Sequence, residues 1–227
     1  LRTALNPPRG AGQGQVVLVT STLPGEGKSL TSVNLALTLA GTEERVLLID
    51  ADLRRPALHG LLKARRSPGL ADVLTGQAGV AQAVLKVPGS RLYLLSCGAP
   101  FAGNPADLLG TSAFRQLLLD LRQRFDRIVV DTPPAGSIAD ALILAPQADG
   151  VLVVARSGKV ARSAVAHLLE RLANARAHVL GVVLNRARTD RHAYDYGPSF
   201  TPEAYAVEKR RALPPAVELR GSSGRPH

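Results

Sequence analysis

The 227-residue sequence predicts an α/β protein with a doubly wound, mostly parallel sheet. Six short apolar runs have the length of buried strands, and most are unbroken, as expected when helices cover both faces of a sheet. These runs lie at 16–20, 46–49, 92–95, 128–130, 151–154 and 179–184. Helical periods separate them, and this alternation of strand and helix places ligands at the carboxyl ends of the strands.

Apolar spacing marks the intervening helices. The clearest set is Phe114, Leu117, Leu118, Leu121 and Phe125. These residues recur at i, i+3, i+4, i+7 and i+11, so they form one apolar stripe that faces a core. The stretches 30–40 and 165–172 show the same periodicity. We therefore predict helices in all three places.

Composition limits the kind of protein this can be. A hydrophobic content of 45% suits one globular domain. No apolar run approaches the roughly 18 residues that span a bilayer, so we expect a soluble chain, and a single cysteine that cannot form an internal disulfide favours the cytoplasm. The single cysteine, Cys97, follows an apolar run and is predicted to be a buried, reduced thiol. The five histidines show no ligand spacing beside acids or cysteines, so no structural metal site is predicted.

The two ends of the sequence differ from its middle. The chain begins at Leu1 and contains no methionine, so we expect it to be a piece of a longer polypeptide. After Asn185 the sequence becomes rich in Arg, Pro, Gly and Ser and has no apolar period. We therefore predict a single domain over 16–186 and a flexible C-terminal tail over 187–227.

A glycine-rich segment at 21–29 has the sequence STLPGEGKS and lies between the first strand and the first helix. Glycines let backbone N–H groups approach phosphate oxygens, and the helix N-terminus adds a favourable dipole. Lys28 supplies a positive charge, and the Ser29 hydroxyl is placed to bind Mg²⁺. Thr22 replaces the first glycine of the usual pattern. We predict a phosphate loop that binds ATP through Thr22, Leu23, Pro24, Gly25, Glu26, Gly27, Lys28, Ser29 and Leu30.

Acidic side chains follow two other strands. Asp50 and Asp52 are separated by one residue, so they point the same way if the strand pleat persists. One could hold Mg²⁺ through water while the other accepts a proton from an incoming hydroxyl, and the sequence leaves open which is the base. Asp131 is placed to polarise the Mg²⁺ shell. Asn185 closes the last strand, where its amide suits either an adenine edge or a turn.

Taken together, these motifs resemble the bacterial tyrosine kinases, the cytoplasmic autokinases of capsular and exopolysaccharide export. The resemblance covers roughly residues 1–185 and rests on three ordered motifs, at 22–29, 47–54 and 128–134. It extends to the segments 68–74 and 104–109, the latter with Asp107 in place of the usual Glu.

The resemblance implies a P-loop NTPase-like fold and a protein-tyrosine kinase that uses ATP and Mg²⁺. Lys28 would contact the phosphates. Ser29 and Asp131 would hold Mg²⁺, and Asp50 and Asp52 would share metal binding and base duty.

The resemblance also gives the chain ends a role. Three of the four tyrosines, Tyr194, Tyr196 and Tyr205, lie in the polar tail and are expected to accept phosphate, although the family's cluster is usually denser. Tyr93 lies in a strand and is predicted to belong to the core. Family members carry a helix upstream that makes subunit contacts, and residues 1–15 resemble its end and a linker, with Arg2 at the contact.

Partners follow from the same resemblance. Autophosphorylation is expected in trans within a homo-oligomer, possibly a ring, at the inner face of the cell membrane, where it would regulate polysaccharide synthesis and export. A transmembrane activator of the polysaccharide co-polymerase type, fused or separate, and a counteracting tyrosine phosphatase are the other expected partners.

Two alternatives remain open. A net charge of +10 favours anionic partners, as in septum-positioning and plasmid-partitioning ATPases that act on membrane or DNA. Those relatives carry a signature lysine where this chain has Leu23, followed by a glycine where it has Pro24, so nucleic acid is not an expected partner. The second alternative is a catalytically weak regulatory subunit that binds nucleotide without transferring phosphate.

Overall fold

The structure, a computed structural model, describes residues 14–187. Its seven strands within that range form one sheet. They are β1 (Gln15–Ser21), β2 (Val46–Asp50), β3 (Val84–Lys86), β4 (Leu92–Leu95), β5 (Arg127–Asp131), β6 (Gly150–Arg156) and β7 (Val179–Asn185). The strand order is β3-β4-β2-β5-β1-β6-β7, and every neighbouring pair is parallel except β3 with β4. The predicted fold class is therefore confirmed.

Eight α-helices connect the strands in the described range. They are α1 (Lys28–Ala40), α2 (Leu58–Leu61), α3 (Leu70–Leu74), α4 (Val80–Ala83), α5 (Pro105–Leu109), α6 (Ser112–Arg122), α7 (Asp140–Leu144) and α8 (Arg162–Asn174). The three predicted helices correspond to α1, α6 and α8. None of the helices in this part of the chain is both long and apolar enough to cross a membrane.

The core lies on both faces of the sheet, as the unbroken apolar strands require. In β1, Val16 and Leu18 pack into one cluster with α6 and α8, while Val17 and Val19 pack into a second cluster with α1. Successive side chains of a strand point to opposite faces, so a strand buried on both sides must be apolar at every position. The stripe predicted on α6 is buried, including Phe114 at 1% exposure.

One strand was missed by sequence reasoning. The three residues of β3 pair antiparallel with β4 at the sheet edge and are only partly buried. A strand this short gives too few residues for a period-2 pattern. Cys97 is a buried free thiol, as predicted, and Tyr93 is half-buried with its ring 5.3 Å from that of Phe125.

The strand order also positions the predicted site. β1 lies between β5 and β6, and β2 is the other neighbour of β5. The carboxyl ends of β1, β2 and β5 therefore meet at one edge of the sheet, where Asp50 is paired in register with Asp131. The phosphate-loop candidate leaves β1 at this same edge.

Candidate active site

The loop between β1 and α1 adopts a conformation that needs glycine. Gly25 and Gly27 have φ values of 79° and 95°, in the left-handed region that side chains disfavour. A Cβ at Gly27 would also collide with the side-chain amide of Asn185. The loop leads directly into the first turn of α1, whose N-terminal N–H groups are suited to a phosphate.

The Glu26 side chain holds this loop from the protein side. It is 1% exposed. Its two carboxylate oxygens accept the N–H of Leu23 at 2.6 Å and the N–H of Arg156 at 3.1 Å. The Asn185 amide donates to the Glu26 carbonyl at 2.8 Å. The Glu26 side chain and the Asn185 amide thus join the loop to the ends of β6 and β7, and the adenine contact of Asn185 stays a prediction.

Lys28 lies between two carboxylates. Its Nζ is 2.8 Å from Asp52 Oδ2 and 3.4 Å from Asp131 Oδ2, and it donates to Ser29 Oγ at 3.1 Å. Burial alone would lower the pKa of the amine, but the charges and hydrogen bonds of Asp131 and Asp52 together raise it. Lys28 is therefore a firmly protonated cation beside the loop.

Asp131 is 0% exposed and is held by α1. Its Oδ1 accepts the Ser32 hydroxyl at 3.0 Å. Burial raises the pKa of the Asp131 carboxyl, although the Lys28 charge and hydrogen bonds from Ser29 and Ser32 act in the opposite direction. Sequence reasoning missed Ser32. Its spacing of four residues from Lys28, one helical turn, was the available signal.

Asp50 is also 0% exposed. Its Oδ2 accepts the backbone N–H groups of Ala57 and Leu58 at 3.2 and 3.1 Å, whereas its Oδ1 has no hydrogen-bond partner. Burial raises the pKa of this carboxyl from 3.8 to about 7, and the charge on Asp131 adds to the increase. The Asp50 side chain does not line the cavity that opens beside Lys28 and Asp52.

Asp52 and Arg54 extend the site beyond β2. Asp52 is 3% exposed, and its Oδ1 accepts the N–H of Arg55 at 2.9 Å. Arg54 makes a two-pronged contact with the buried Asp140, at 2.9 and 3.0 Å, and also donates to Asn104 Oδ1. These bonds, which sequence reasoning missed, fix the loop after β2 against α7 and the start of α5. No sequence spacing predicts a contact between residues 86 positions apart.

A cavity of about 490 Å³ opens beside these groups. It is lined by the phosphate loop, by Lys28, Ser29 and Asp52, and by apolar side chains that include Leu30, Pro134 and Ile138. This volume suits a nucleotide-sized ligand. The hydroxyl and carboxylate oxygens at its base are the donors that Mg²⁺ prefers. Together with the Lys28 amine and the loop glycines, the residues present fit MgATP.

Only some of the predicted nucleotide-binding residues line the cavity. Pro24, Gly25, Gly27, Lys28, Ser29 and Leu30 line the cavity. Thr22 is buried behind the loop and its Oγ1 has no partner, and Leu23 is 40% exposed. Arg2, Tyr194, Tyr196 and Tyr205 lie outside the described residues, so their predicted roles stay predictions.

The fold and this site define a P-loop nucleotide-binding protein. A family model described as an AAA domain matches residues 14–183. The chain is 38% identical over 181 residues to the tyrosine-protein kinase YwqD of Bacillus subtilis, across 80% of this chain and 76% of that relative. It is 37% identical over 202 residues to the putative tyrosine-protein kinase EpsB of Ralstonia solanacearum, but spans only 26% of that longer protein.

Solved structures agree with the sequence relatives. The VpsO kinase domain superposes with a TM-score of 0.74 at 39% identity, across 77% of this chain and 86% of that one. The septum site-determining protein MinD of Pyrococcus horikoshii, solved with Mg-ADP, gives a TM-score of 0.66 at 23% identity, across 78% and 73%, which shows a shared fold alone. The chain belongs to the AAA domain family and, within it, to the bacterial tyrosine-protein kinases, as the motifs predicted.

Proposed function

We propose that this chain is an ATP-dependent protein-tyrosine autokinase that transfers a phosphoryl group from MgATP to tyrosines of its own C-terminal segment. The observation that carries the proposal is the position of Lys28. Its amine lies between Asp52 and Asp131 at the wall of a cavity that the phosphate loop lines. Names of relatives that contain the words tyrosine-protein kinase support the same reaction.

The loop would hold the phosphates through its backbone N–H groups, and Lys28 would exchange its two carboxylate partners for phosphate oxygens. Ser29, Asp50 and Asp131 would hold Mg²⁺, which neutralises charge on the phosphates when bound. Lys28 is the cation of this loop that can meet the charge developing on the transferred group, because Leu23 occupies the position of the second lysine of MinD-like ATPases.

Of the two candidate bases, we assign proton acceptance to Asp52. Asp52 lines the cavity, whereas Asp50 is fully buried and its Oδ2 is occupied by two backbone N–H groups. Departure of Lys28 toward phosphate would free the Asp52 oxygen for the hydroxyl of an incoming tyrosine. We expect Asp52→Asn to lower phosphotransfer by the 10²–10⁴-fold typical of losing a general base.

The biological setting is part of the same proposal. We infer that the acceptors are Tyr194, Tyr196 and Tyr205 of a neighbouring copy, and that Arg2 lies at the contact between copies. The chain would act at the inner face of the membrane, regulate capsular or exopolysaccharide production, and work with a transmembrane activator and a tyrosine phosphatase. We also propose that the kinase domain spans residues 16–186 and that residues 187–227 form the tail that carries the acceptor tyrosines.

The test is incubation of the chain with MgATP followed by mass spectrometry of the tail tyrosines. The sample should include the upstream helix and the activator, and Lys28→Met is the control for chemistry at this loop. Phosphate on the tail tyrosines of the parent but not of Lys28→Met is expected. ATP hydrolysis without phosphotyrosine would favour a nucleotide-switched ATPase, and equal turnover in both chains would favour a regulatory subunit.

A further inference from the structure

A second cluster of polar side chains lies beneath the nucleotide site. Asp50 at the end of β2, His59 on α2 and Cys97 after β4 each offer one ligand atom, and these atoms lie within 4.8 Å of one another. The three residues are far apart in sequence, so their spacing there gave no sign of a metal site. Strand pairing between β2 and β4 brings the first and last together.

Two atoms of the cluster lack partners. Asp50 Oδ1 and His59 Nδ1 are both buried without a hydrogen bond, and the Asp50 residue is 0% exposed. Buried polar atoms of folded proteins nearly always have a partner, so two unpartnered polar atoms near one thiol need an explanation. A cation between them would satisfy both at once.

We propose that Asp50, His59 and Cys97 form a binding site for a thiol-seeking divalent cation, of which Zn²⁺ is the best match. A thiolate, an imidazole and a carboxylate are the three ligand types of protein zinc sites, whereas Mg²⁺ takes oxygen ligands. Zn²⁺ bonds of about 2.0–2.3 Å at tetrahedral angles place ligand atoms roughly 3.5 Å apart. The three ligand atoms, now within 4.8 Å of one another, would therefore have to move closer together when the ion binds, and water would supply a fourth ligand.

The surroundings of the cluster suit a cation. The Ala57 and Leu58 N–H groups fix the second oxygen of Asp50, so its free oxygen is held in place. Binding would release the thiol proton to solvent. His59 is only partly buried, which gives the ion a path of entry.

This inference goes beyond the proposed function but uses the same carboxylate. Asp50 is both a proposed zinc ligand and a predicted Mg²⁺ ligand, and its Oδ1 is the oxygen without a hydrogen-bond partner. Zn²⁺ bound there would therefore remove that oxygen from the nucleotide site, so the two uses of Asp50 exclude one another.

The test uses the full 227-residue chain, reduced, treated with chelator and free of nucleotide. Zn²⁺ is titrated in competition with a chromophoric chelator, and Co²⁺ is titrated separately as a spectroscopic probe. We expect one tightly bound ion per chain and a thiolate-to-Co²⁺ absorption band in the near ultraviolet. Cys97→Ser should abolish the band. It should weaken Zn²⁺ binding by more than about 100-fold, because a direct ligand contributes more than the roughly 10–100-fold of an outer partner.

His59→Asn should weaken Zn²⁺ binding similarly, whereas His167→Asn, at an exposed histidine, should leave it unchanged. Circular dichroism checks that each variant is folded. If a variant fails to fold, the Co²⁺ spectrum of the parent decides. A Co²⁺ complex without a thiolate band, or equal Zn²⁺ affinity in the parent, Cys97→Ser and His59→Asn, would overturn the site.

The exclusion is tested separately, and this arm alone rests on the proposed function. One equivalent of Zn²⁺ should weaken Mg-ADP binding to the parent more than to Cys97→Ser, and an equal response in the two chains overturns it. Failure of the chain to phosphorylate tyrosine would leave the zinc titration unaffected. The two proposals can therefore fail independently.

Discussion

Replacement of Asp50 by asparagine is expected to stabilise the nucleotide-free fold above pH 7 while removing a group that the proposed reaction uses. The Asp50 carboxyl is fully buried, and its Oδ2 accepts two backbone N–H groups that an amide oxygen can also accept. Asparagine keeps the shape and these bonds and removes a buried charge. The titratable groups that face Asp50 are Asp52, Asp131, Lys28, His59 and Cys97.

The magnitude follows from the shifted pKa. Burial, with the charges of Asp131 and Asp52, raises the pKa of Asp50 from 3.8 to about 7, against the opposing hydrogen bond from Leu58 and the charge of Lys28. At 1.36 kcal/mol per pKa unit this corresponds to roughly 4 kcal/mol. The folded pKa is the higher one, so the unfolded chain loses the proton first. The contribution of Asp50 to the stability of the parent fold is therefore fully present below about pH 4, where the carboxyl is protonated in both states. It is lost as the pH rises to about 7, where the folded carboxyl ionises.

Urea denaturation of both chains from pH 4 to pH 8.5, with a chelator present, measures the effect. The free energy of unfolding of Asp50→Asn minus that of the parent should grow by roughly 4 kcal/mol between about pH 4 and about pH 7 and stay constant from there to pH 8.5. Asp107→Asn, at an exposed carboxylate, is the matched control and should show no such growth. Parallel curves for Asp50→Asn and the parent would refute the reasoning.

Three further predictions concern the loop and its supports. Gly27→Ala should reduce Mg-ADP affinity, measured by calorimetry, more than Gly25→Ala. Both substitutions place a side chain at positive φ, which costs about 1–2 kcal/mol, but only the new Cβ at position 27 would collide with Asn185. Equal losses would contradict the packing argument. Glu26→Gln should weaken Mg-ADP binding by roughly tenfold without unfolding the chain. The N–H groups of Leu23 and Arg156 donate to different oxygens of Glu26, and a glutamine has one acceptor oxygen, so one bond is lost and the other becomes a neutral one. Unchanged affinity would show that the loop needs no such support. Arg54→Lys should lower the free energy of unfolding by about 1–3 kcal/mol, because a lysine cannot make both bonds to buried Asp140. A change below about 0.5 kcal/mol, in the range of ordinary surface substitutions, would contradict this.

Much of the fold was predictable because its signals are local. Unbroken apolar runs and helical periods located six strands and three helices, and the order of elements indicated a parallel sheet. β3 and the four- and five-residue helices were not predicted, since so few residues carry no period. Their positions depend on tertiary contacts, such as the pairing of β3 with β4.

The site was predictable to the extent that its residues lie in motifs. Lys28, Asp52 and Asp131 were expected together, and the structure brings them within salt-bridge distance. The bond from Glu26 to the N–H of Arg156 was not foreseen, because it joins residues 130 positions apart. The burial of Asp50 was not foreseen either. A strand end predicts the direction of a side chain but not whether the next loop covers it.

The most direct test of the central claim is a crystal structure of the chain with Mg-ADP. We expect the diphosphate in the cavity beside Gly25 and Gly27, with the Lys28 amine moved from Asp52 and Asp131 to a phosphate oxygen. Binding of the nucleotide elsewhere, with Lys28 still paired to both carboxylates, would contradict the account.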